Sequence, residues 1–140
     1  MRKAESAYVH QPHQVTLGVT EVSFTHRARP WTLNAERAGN RYKRAAMVKE
    51  WREVFHWLGP ANKIKFDQVE VHVQIVMKRP LADTGNAYGT VKAAIDGLVD
   101  AGILPDDGPN VIMRLCMDAP RPPLKGERES LTVTLIGVPI

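Results

Sequence analysis

The sequence predicts an α/β domain: a mixed sheet of about four strands with two helices packed on it, in the order β-α-β-α-β-β. Two patterns predict this class. Apolar and polar residues alternate along the strand candidates, most regularly through Val69, Val71, Val73 and Ile75. Between these segments, apolar residues recur at helical spacing, and each helical segment is followed by a glycine that suits its end.

Four segments show the alternation of apolar and polar residues that is typical of strands. They are expected at residues 15–24, 66–77, 111–117 and 131–136. The first has an irregularity around positions 20–21, and Pro30 ends the run. The Pro-rich, charged loop over residues 120–129 suits a hairpin between the third and fourth strands.

The two helices lie between these strands. The first follows Asn34, a suitable N-cap, and ends at Gly59-Pro60. The second is expected from about residue 90 to residue 101, with Gly102 as its C-terminal cap.

Length and composition describe one compact domain. With 140 residues, 44% of them hydrophobic and 24% charged, the chain matches a globular protein with a single core. Residues 1–14 show no periodicity and are expected to form a flexible tail, which leaves residues 15–140 as the domain. Cys116 is the only cysteine, so an intramolecular disulfide and a cysteine-based zinc site are excluded.

The sequence also favours a location inside the cell. No apolar run approaches the roughly 20 residues that span a bilayer, and no signal-peptide core follows Met1. We therefore expect a cytoplasmic protein without a membrane partner. The absence of a glycine-rich phosphate loop indicates no nucleotide cofactor.

Positive charge is concentrated in one part of the chain. The formal net charge is +4, which mildly favours a polyanionic partner. Between residues 27 and 52, eight basic residues stand against two acidic ones. Most of those in the first helix lie off its apolar stripe, so that helix is expected to present a basic face to a nucleic-acid backbone. The candidate DNA-binding residues are Arg37, Arg41, Lys43, Arg44, Lys49 and Arg52.

Aspartates flank the second helix, which itself carries a lysine. Asp83 precedes the helix, Lys92 lies on it, and Asp106 and Asp107 follow it. Mg²⁺ prefers oxygen ligands, keeps several waters and takes only one or two protein carboxylates. In a phosphodiester nuclease such an ion activates water, and a nearby lysine stabilises the charge that develops on the phosphate. These residues are therefore the inventory of a metal-dependent nuclease.

Each of these pieces also has an ordinary structural explanation. Asp106-Asp107-Gly108 after a proline is common turn chemistry, and Asp83 alone suits a turn cap. Lys92 and Asp96, four residues apart, form a surface helix pair worth roughly 0.3 kcal/mol, in the less favourable order. The helix spans roughly 15 to 18 Å, so Asp83 and Asp107 share a metal only if the flanking loops fold back or two subunits contribute.

The string of residues is more specific than its pieces. It contains Asp83-Thr84-Gly85-Asn86, then Lys92 and Asp96 four apart on a helix, then Ala101-Gly102 and the pair Asp106-Asp107. It resembles the signature of the RusA-type Holliday-junction resolvases, which are crossover junction endodeoxyribonucleases with an Asp-x-Asp-Asn loop ahead of those features. Residues 33–37, before a basic helix with Trp51-Arg52-Glu53, are similar to the phage branch of the family. The specific match covers residues 81–107.

The resemblance implies a RusA-like fold and a homodimer that binds branched DNA. It implies Mg²⁺-dependent resolution of four-way junctions by paired symmetric nicks, as in DNA recombination and repair, with Mn²⁺ able to replace Mg²⁺. Carried over by motif, Asp83 and Asp107 would be metal ligands and Lys92 the catalytic lysine. Asp96 and Asp106 would be supporting carboxylates, Asp106 would also be a metal ligand, and Asn86 would shape the loop.

One position departs from the family pattern. Gly85 stands where the second acid of the Asp-x-Asp-Asn loop is expected, and a missing ligand charge weakens metal binding. Either Asp106 compensates, or the domain binds junctions with impaired or absent cleavage. A third hypothesis is a phage structural or interaction protein in which the acidic residues only form turns and caps.

Overall fold

The computed structural model describes residues 18–32, 41–59, 64–79 and 84–140. Its strands are β1 (Thr20–His26), β2 (Phe66–Val76), β3 (Ile112–Met117) and β4 (Ser130–Pro139). The two helices of this part of the chain are α1 (Arg41–Leu58) and α2 (Tyr88–Asp100), and a 3-10 turn (Thr84–Ala87) leads directly into α2. The order β-α-β-α-β-β is the predicted one.

The strands form one mixed sheet with the spatial order β1-β4-β2-β3. β4 is antiparallel to both of its neighbours, whereas β3 is parallel to β2. A parallel neighbour needs a crossover connection, and α2 lies in that connection. Within the described residues, four strands and two helices confirm the predicted fold class.

The predicted hairpin between the last two strands was wrong, because β2 lies between β3 and β4. β4 is a central strand, paired on one side with β1 and on the other with β2, and its Leu131, Val133 and Leu135 are fully buried. The connection from β3 first runs along the end of β2, where Arg121 exchanges backbone hydrogen bonds with Ile75 and Met77. The loop therefore carries the chain across β2, and burial of the apolar side of β4 favours a central place.

The first strand also differs from its prediction. It spans Thr20–His26, so it ends two residues later than predicted, and residues 18 and 19, which the prediction included, are not part of it. Its ladder with β4 is continuous. The predicted irregularity at positions 20–21 was therefore wrong. Residues 15–17, the tail over residues 1–14 and Asn34 lie outside the described residues.

The core lies on one side of the sheet. The inward side chains of β1, β2 and β4 meet Met47, Trp51 and Phe55 of α1 in one buried cluster. The apolar side of α2 completes this cluster. Successive strand residues point to opposite faces, and the side chains on the other face are mostly polar. There Ser23 and Thr25 pair with hydroxyl groups of β4 at 2.8 Å. The helices pack on the sheet as predicted, and both lie on the same face of it.

The two helices approach each other closely at Gly97. A Cβ atom at this position would lie 2.3 Å from the Arg52 carbonyl oxygen and 2.9 Å from the Phe55 Cβ. Glycine is therefore the residue that lets α2 lie directly against the backbone of α1. This contact fixes the position of the exposed side of α2.

No helix in the described ranges combines the length and the apolar character that crossing a bilayer requires.

Candidate metal and phosphate site on helix α2

Lys92 lies between two of the predicted acidic residues. Its Nζ donates to Asp96 Oδ1 at 2.7 Å and to Asp107 Oδ2 at 2.6 Å. Asp96 lies one turn further along α2, whereas Asp107 comes from the loop that follows the helix. A lysine and two carboxylates of the predicted motif therefore meet at one point on the protein surface. We call Lys92, Asp96 and Asp107 the charged triad.

The end of α2 explains how Asp107 reaches this point. Gly102 adopts φ +80°, and the amide groups of Gly102 and Ile103 donate to the carbonyl groups of Val99 and Leu98. This pairing ends the helix in a Schellman motif, as the sequence predicted at Gly102. Ile103 and Leu104 are buried and anchor the returning chain to the core. The loop thus folds back along the helix, which meets the geometric condition for Asp107.

The first turn of α2 is attached to the chain segment that follows β1. The buried Thr90 hydroxyl donates to the Trp31 carbonyl oxygen at 2.9 Å, which ties the helix to the segment that follows β1. Val91 and Ala94 are fully buried beside Lys92. The backbone that carries Lys92 is therefore fixed, and only its long side chain extends to the surface.

Hydrogen bonding shifts the proton affinities within the triad. The hydrogen bonds to Asp107 and Asp96 raise the pKa of Lys92 above its ordinary value. The hydrogen bond from Lys92 lowers the pKa of Asp107. Lys92 and Asp107 are 43% and 40% exposed, so water and solute ions reach them, whereas Asp96 is 25% exposed. At neutral pH Lys92 and Asp107 therefore carry opposite full charges.

Among the described residues, no other predicted site residue forms a hydrogen bond with Lys92. Asp106 Oδ1 accepts a hydrogen bond from the Gly108 amide at 2.6 Å, so this carboxylate caps the turn as its ordinary explanation predicts. Asn86 is half-buried in the 3-10 turn, beside the exposed Gly85. Asp83 lies outside the described residues, and its role as a metal ligand stays a prediction.

The donor set of the triad fits a hard divalent cation that keeps most of its water shell. Mg²⁺ takes one or two protein carboxylates, and one oxygen of Asp96 and one of Asp107 both lie within 2.7 Å of the Lys92 ammonium group. Among the described residues, no group of three His, Cys, Asp or Glu side chains is placed to hold a metal. An ion here would therefore depend on water, on DNA or on Asp83 for its remaining ligands.

No known protein family and no curated protein sequence matches the chain. Its function is therefore inferred from the residue pattern and from the geometry of the site.

The basic residues of α1 divide into two kinds. Arg41, Lys43, Arg44 and Lys49 are exposed on this helix, as predicted. Arg52 instead donates two hydrogen bonds to Asp100 of α2, at 2.5 and 2.9 Å. These bonds raise the pKa of Arg52 and lower that of Asp100. Arg37 lies outside the described residues.

Asp100 is a feature that sequence reasoning missed. Lys92, Asp96 and Asp100 are spaced four residues apart, which places them along one side of α2. Arg52 contacts one end of this stripe and Asp107 contacts the other. The spacing of Asp100 from Asp96 was the available signal. The stripe links the basic helix α1 to the triad.

Proposed function

We propose that the protein is a Mg²⁺-dependent, structure-specific endonuclease that resolves four-way DNA junctions by paired nicks. The observation that supports this most strongly is the charged triad, in which Lys92 Nζ contacts both Asp96 and Asp107. The triad brings together a lysine and two carboxylates of the resolvase-like motif from positions up to 15 residues apart. It does so on an exposed surface that a phosphodiester can reach.

Each residue has a role in the proposed reaction. Asp107 and Asp96 would hold the metal, with Asp83 as a further ligand. When bound, the ion would lower the pKa of a water molecule and neutralise charge on the scissile phosphate. Lys92 would stabilise negative charge on the phosphate oxygens. A lysine, as a compact charge on a flexible stem, suits this task.

The surface of α1 would supply most of the binding energy. Arg41, Lys43, Arg44 and Lys49 are exposed on a helix packed against α2. Lysine and arginine contacts to phosphates release counter-ions and bind DNA without reading its sequence. Such binding suits recognition of a junction by shape.

Paired nicks need two equivalent active sites, so we propose a homodimer with one site in each subunit. Action on DNA suits an enzyme inside the cell, and the resemblance of residues 33–37 to the phage branch of the family favours a phage or prophage gene. The same assignment gives it a role in DNA recombination and repair.

A second candidate function is a junction-binding protein with weak or absent cleavage. Two observations favour it. Gly85, two residues after Asp83 in the sequence, brings no carboxylate to the site, and the described residues contain no group of three metal-binding side chains. Loss of a residue that only supports a metal ligand already costs about 10- to 100-fold in metal affinity or activity, so the absence of a ligand itself should impair cleavage.

The test uses a synthetic four-way junction with Mg²⁺ or Mn²⁺. We expect the protein to nick opposite strands of the junction. Asp83→Asn and Lys92→Ala should abolish nicking and leave junction binding intact, whereas Lys125→Ala, on the exposed loop after β3, should change neither. If the protein binds but does not cut, and Gly85→Asp restores cutting, the second function is correct. Equal binding of junction and duplex would overturn both.

A further inference from the structure

The Lys92 ammonium group lies between the two carboxylates, of Asp96 and Asp107, that the proposed function assigns to the metal. Its two N–H···O contacts, at 2.7 and 2.6 Å, use one oxygen of Asp96 and one of Asp107. Mg²⁺ binds such oxygens at about 2.0 to 2.1 Å, so an ion held by these same two oxygens would lie beside the ammonium group, and the two positive charges would repel each other. The lysine and the metal therefore compete, through their charges, for the same carboxylates.

We propose that Lys92 is a built-in counter-ion that exchanges with the metal: it holds Asp96 and Asp107 together until the ion binds, and its ammonium group then moves to the phosphate. This inference rests on the function proposed above. It gives Lys92 two successive partners, first the carboxylates and then the substrate.

The structure shows which part is free to move. The loop that carries Asp107 is anchored by the buried Ile103, Leu104 and Val111, and Asp96 is fixed on α2. Lys92 has a flexible four-carbon stem and is 43% exposed. Its ammonium group can therefore leave the carboxylates without disturbing the core, and the carboxylates stay in place for the ion.

Electrostatics sets the direction of the exchange. A divalent ion between the two carboxylates would repel an ammonium group about 4 Å away, and the repulsion is stronger near a protein surface than in bulk water. The ammonium group therefore lowers the affinity for the metal as long as it stays. Removal of its charge should therefore increase that affinity by at least about tenfold.

The experiment measures Mn²⁺ binding in the absence of DNA. Mn²⁺ alone is titrated against the protein, and free Mn²⁺ is followed by electron paramagnetic resonance. We expect Lys92→Met to bind Mn²⁺ at least about tenfold more tightly than the wild-type protein. Lys125→Met removes the same charge from an exposed loop position and should change the affinity less than about twofold. Asp107→Asn should lose binding.

The possible results separate the two proposals. If Mn²⁺ binds the wild type and Lys92→Met equally, and Asp107→Asn loses binding, the metal site stands and the exchange is overturned. If none of the proteins binds Mn²⁺, both the metal-dependent function and the exchange fail.

Thermal unfolding provides a second readout. Excess Mn²⁺ should raise the unfolding temperature of Lys92→Met more than that of the wild type, because the variant binds the ion more tightly. An equal rise in both proteins would overturn the exchange. Lys92→Gln, which also removes the charge, replaces Lys92→Met in both measurements if the methionine variant does not fold.

Discussion

Arg52 and Asp100 join the two helices through a bidentate ion pair, in which Nε and Nη2 of the arginine donate to the two carboxylate oxygens at 2.5 and 2.9 Å. Paired donation of this kind is the strongest geometry that an arginine and a carboxylate form. Arg52, which the sequence predicted to contact DNA, therefore lies at the interface between α1 and α2. The ion pair uses two of the five N–H donors of Arg52, so a phosphate contact would depend on the donors that face away from Asp100.

The coupling between Arg52 and Asp100 is measurable by a double-mutant cycle. Because Arg52 is 47% exposed and Asp100 35% exposed, we expect a coupling free energy of about 0.5 to 1 kcal/mol. Arg52→Met, Asp100→Asn and the double variant are unfolded with urea, and their free energies of unfolding are compared with that of the wild type. Strictly additive single changes would show that the pair contributes nothing.

Gly97→Ala should destabilise the protein. The new Cβ would lie 2.3 Å from the Arg52 carbonyl oxygen, so the helices must separate, and overpacking of this kind costs about 1 to 3 kcal/mol. The higher helix propensity of alanine offsets about 1 kcal/mol at most. Urea unfolding of the variant measures the difference, and an unchanged or increased stability would contradict the close contact.

The ion pair between Lys92 and Asp107 should make stability depend on pH. The pKa of Asp107 is lowered from 3.8, so its contribution is present above that pH and is lost as the pH falls through the lower value. The pKa of Lys92 is raised from 10.5, so its contribution is present below that pH and is lost as the pH rises through the higher value. The pair therefore stabilises the fold between these limits.

Comparison of the wild type with Asp107→Asn across pH checks this dependence. Since both side chains are about 40% exposed, the difference in the free energy of unfolding should be about 0.5 to 1 kcal/mol at neutral pH. It should shrink below pH 4. A difference that stays constant into the acid range would contradict the ion pair.

Junction binding should weaken steeply as salt concentration rises. If Arg41 and Arg44 contact phosphates, replacing either with alanine should reduce the slope of log K against log salt by about one. Fluorescence anisotropy with a labelled junction measures this slope. Lys125→Ala is the control and should keep the wild-type slope. Salt-insensitive binding would contradict the role assigned to α1.

The sequence predicted the order of the helices and strands and the class of fold. Strict alternation through Val69 and Val71 predicts a strand with one buried face, and β2 has that pattern. Strand order was not predictable in the same way, because alternation reports which face is buried and not which strand is the neighbour. The placement of β4 between β1 and β2 depends on contacts far apart in the sequence, such as Phe24 with Val133.

The site could be predicted only in part for a related reason. Lys92 and Asp96 are one helical turn apart, so their contact follows from local geometry. The contact between Lys92 and Asp107 depends on the chain reversal at Gly102, whose direction the sequence does not specify. The pairing of Arg52 with Asp100 depends on how α1 packs against α2 at Gly97. Tertiary packing determines these two contacts.

The measurement that tests the central claim most directly is a crystal structure of the protein soaked in Mn²⁺, with the ion located by its anomalous scattering. We predict one strong site between the carboxylates of Asp96 and Asp107. The remaining ligands of the ion would show whether Asp83 takes part and which group replaces the carboxylate that Gly85 lacks. A Mn²⁺ ion bound elsewhere, with the Lys92 contacts to both carboxylates unchanged, would contradict the assignment of the charged triad as a metal site.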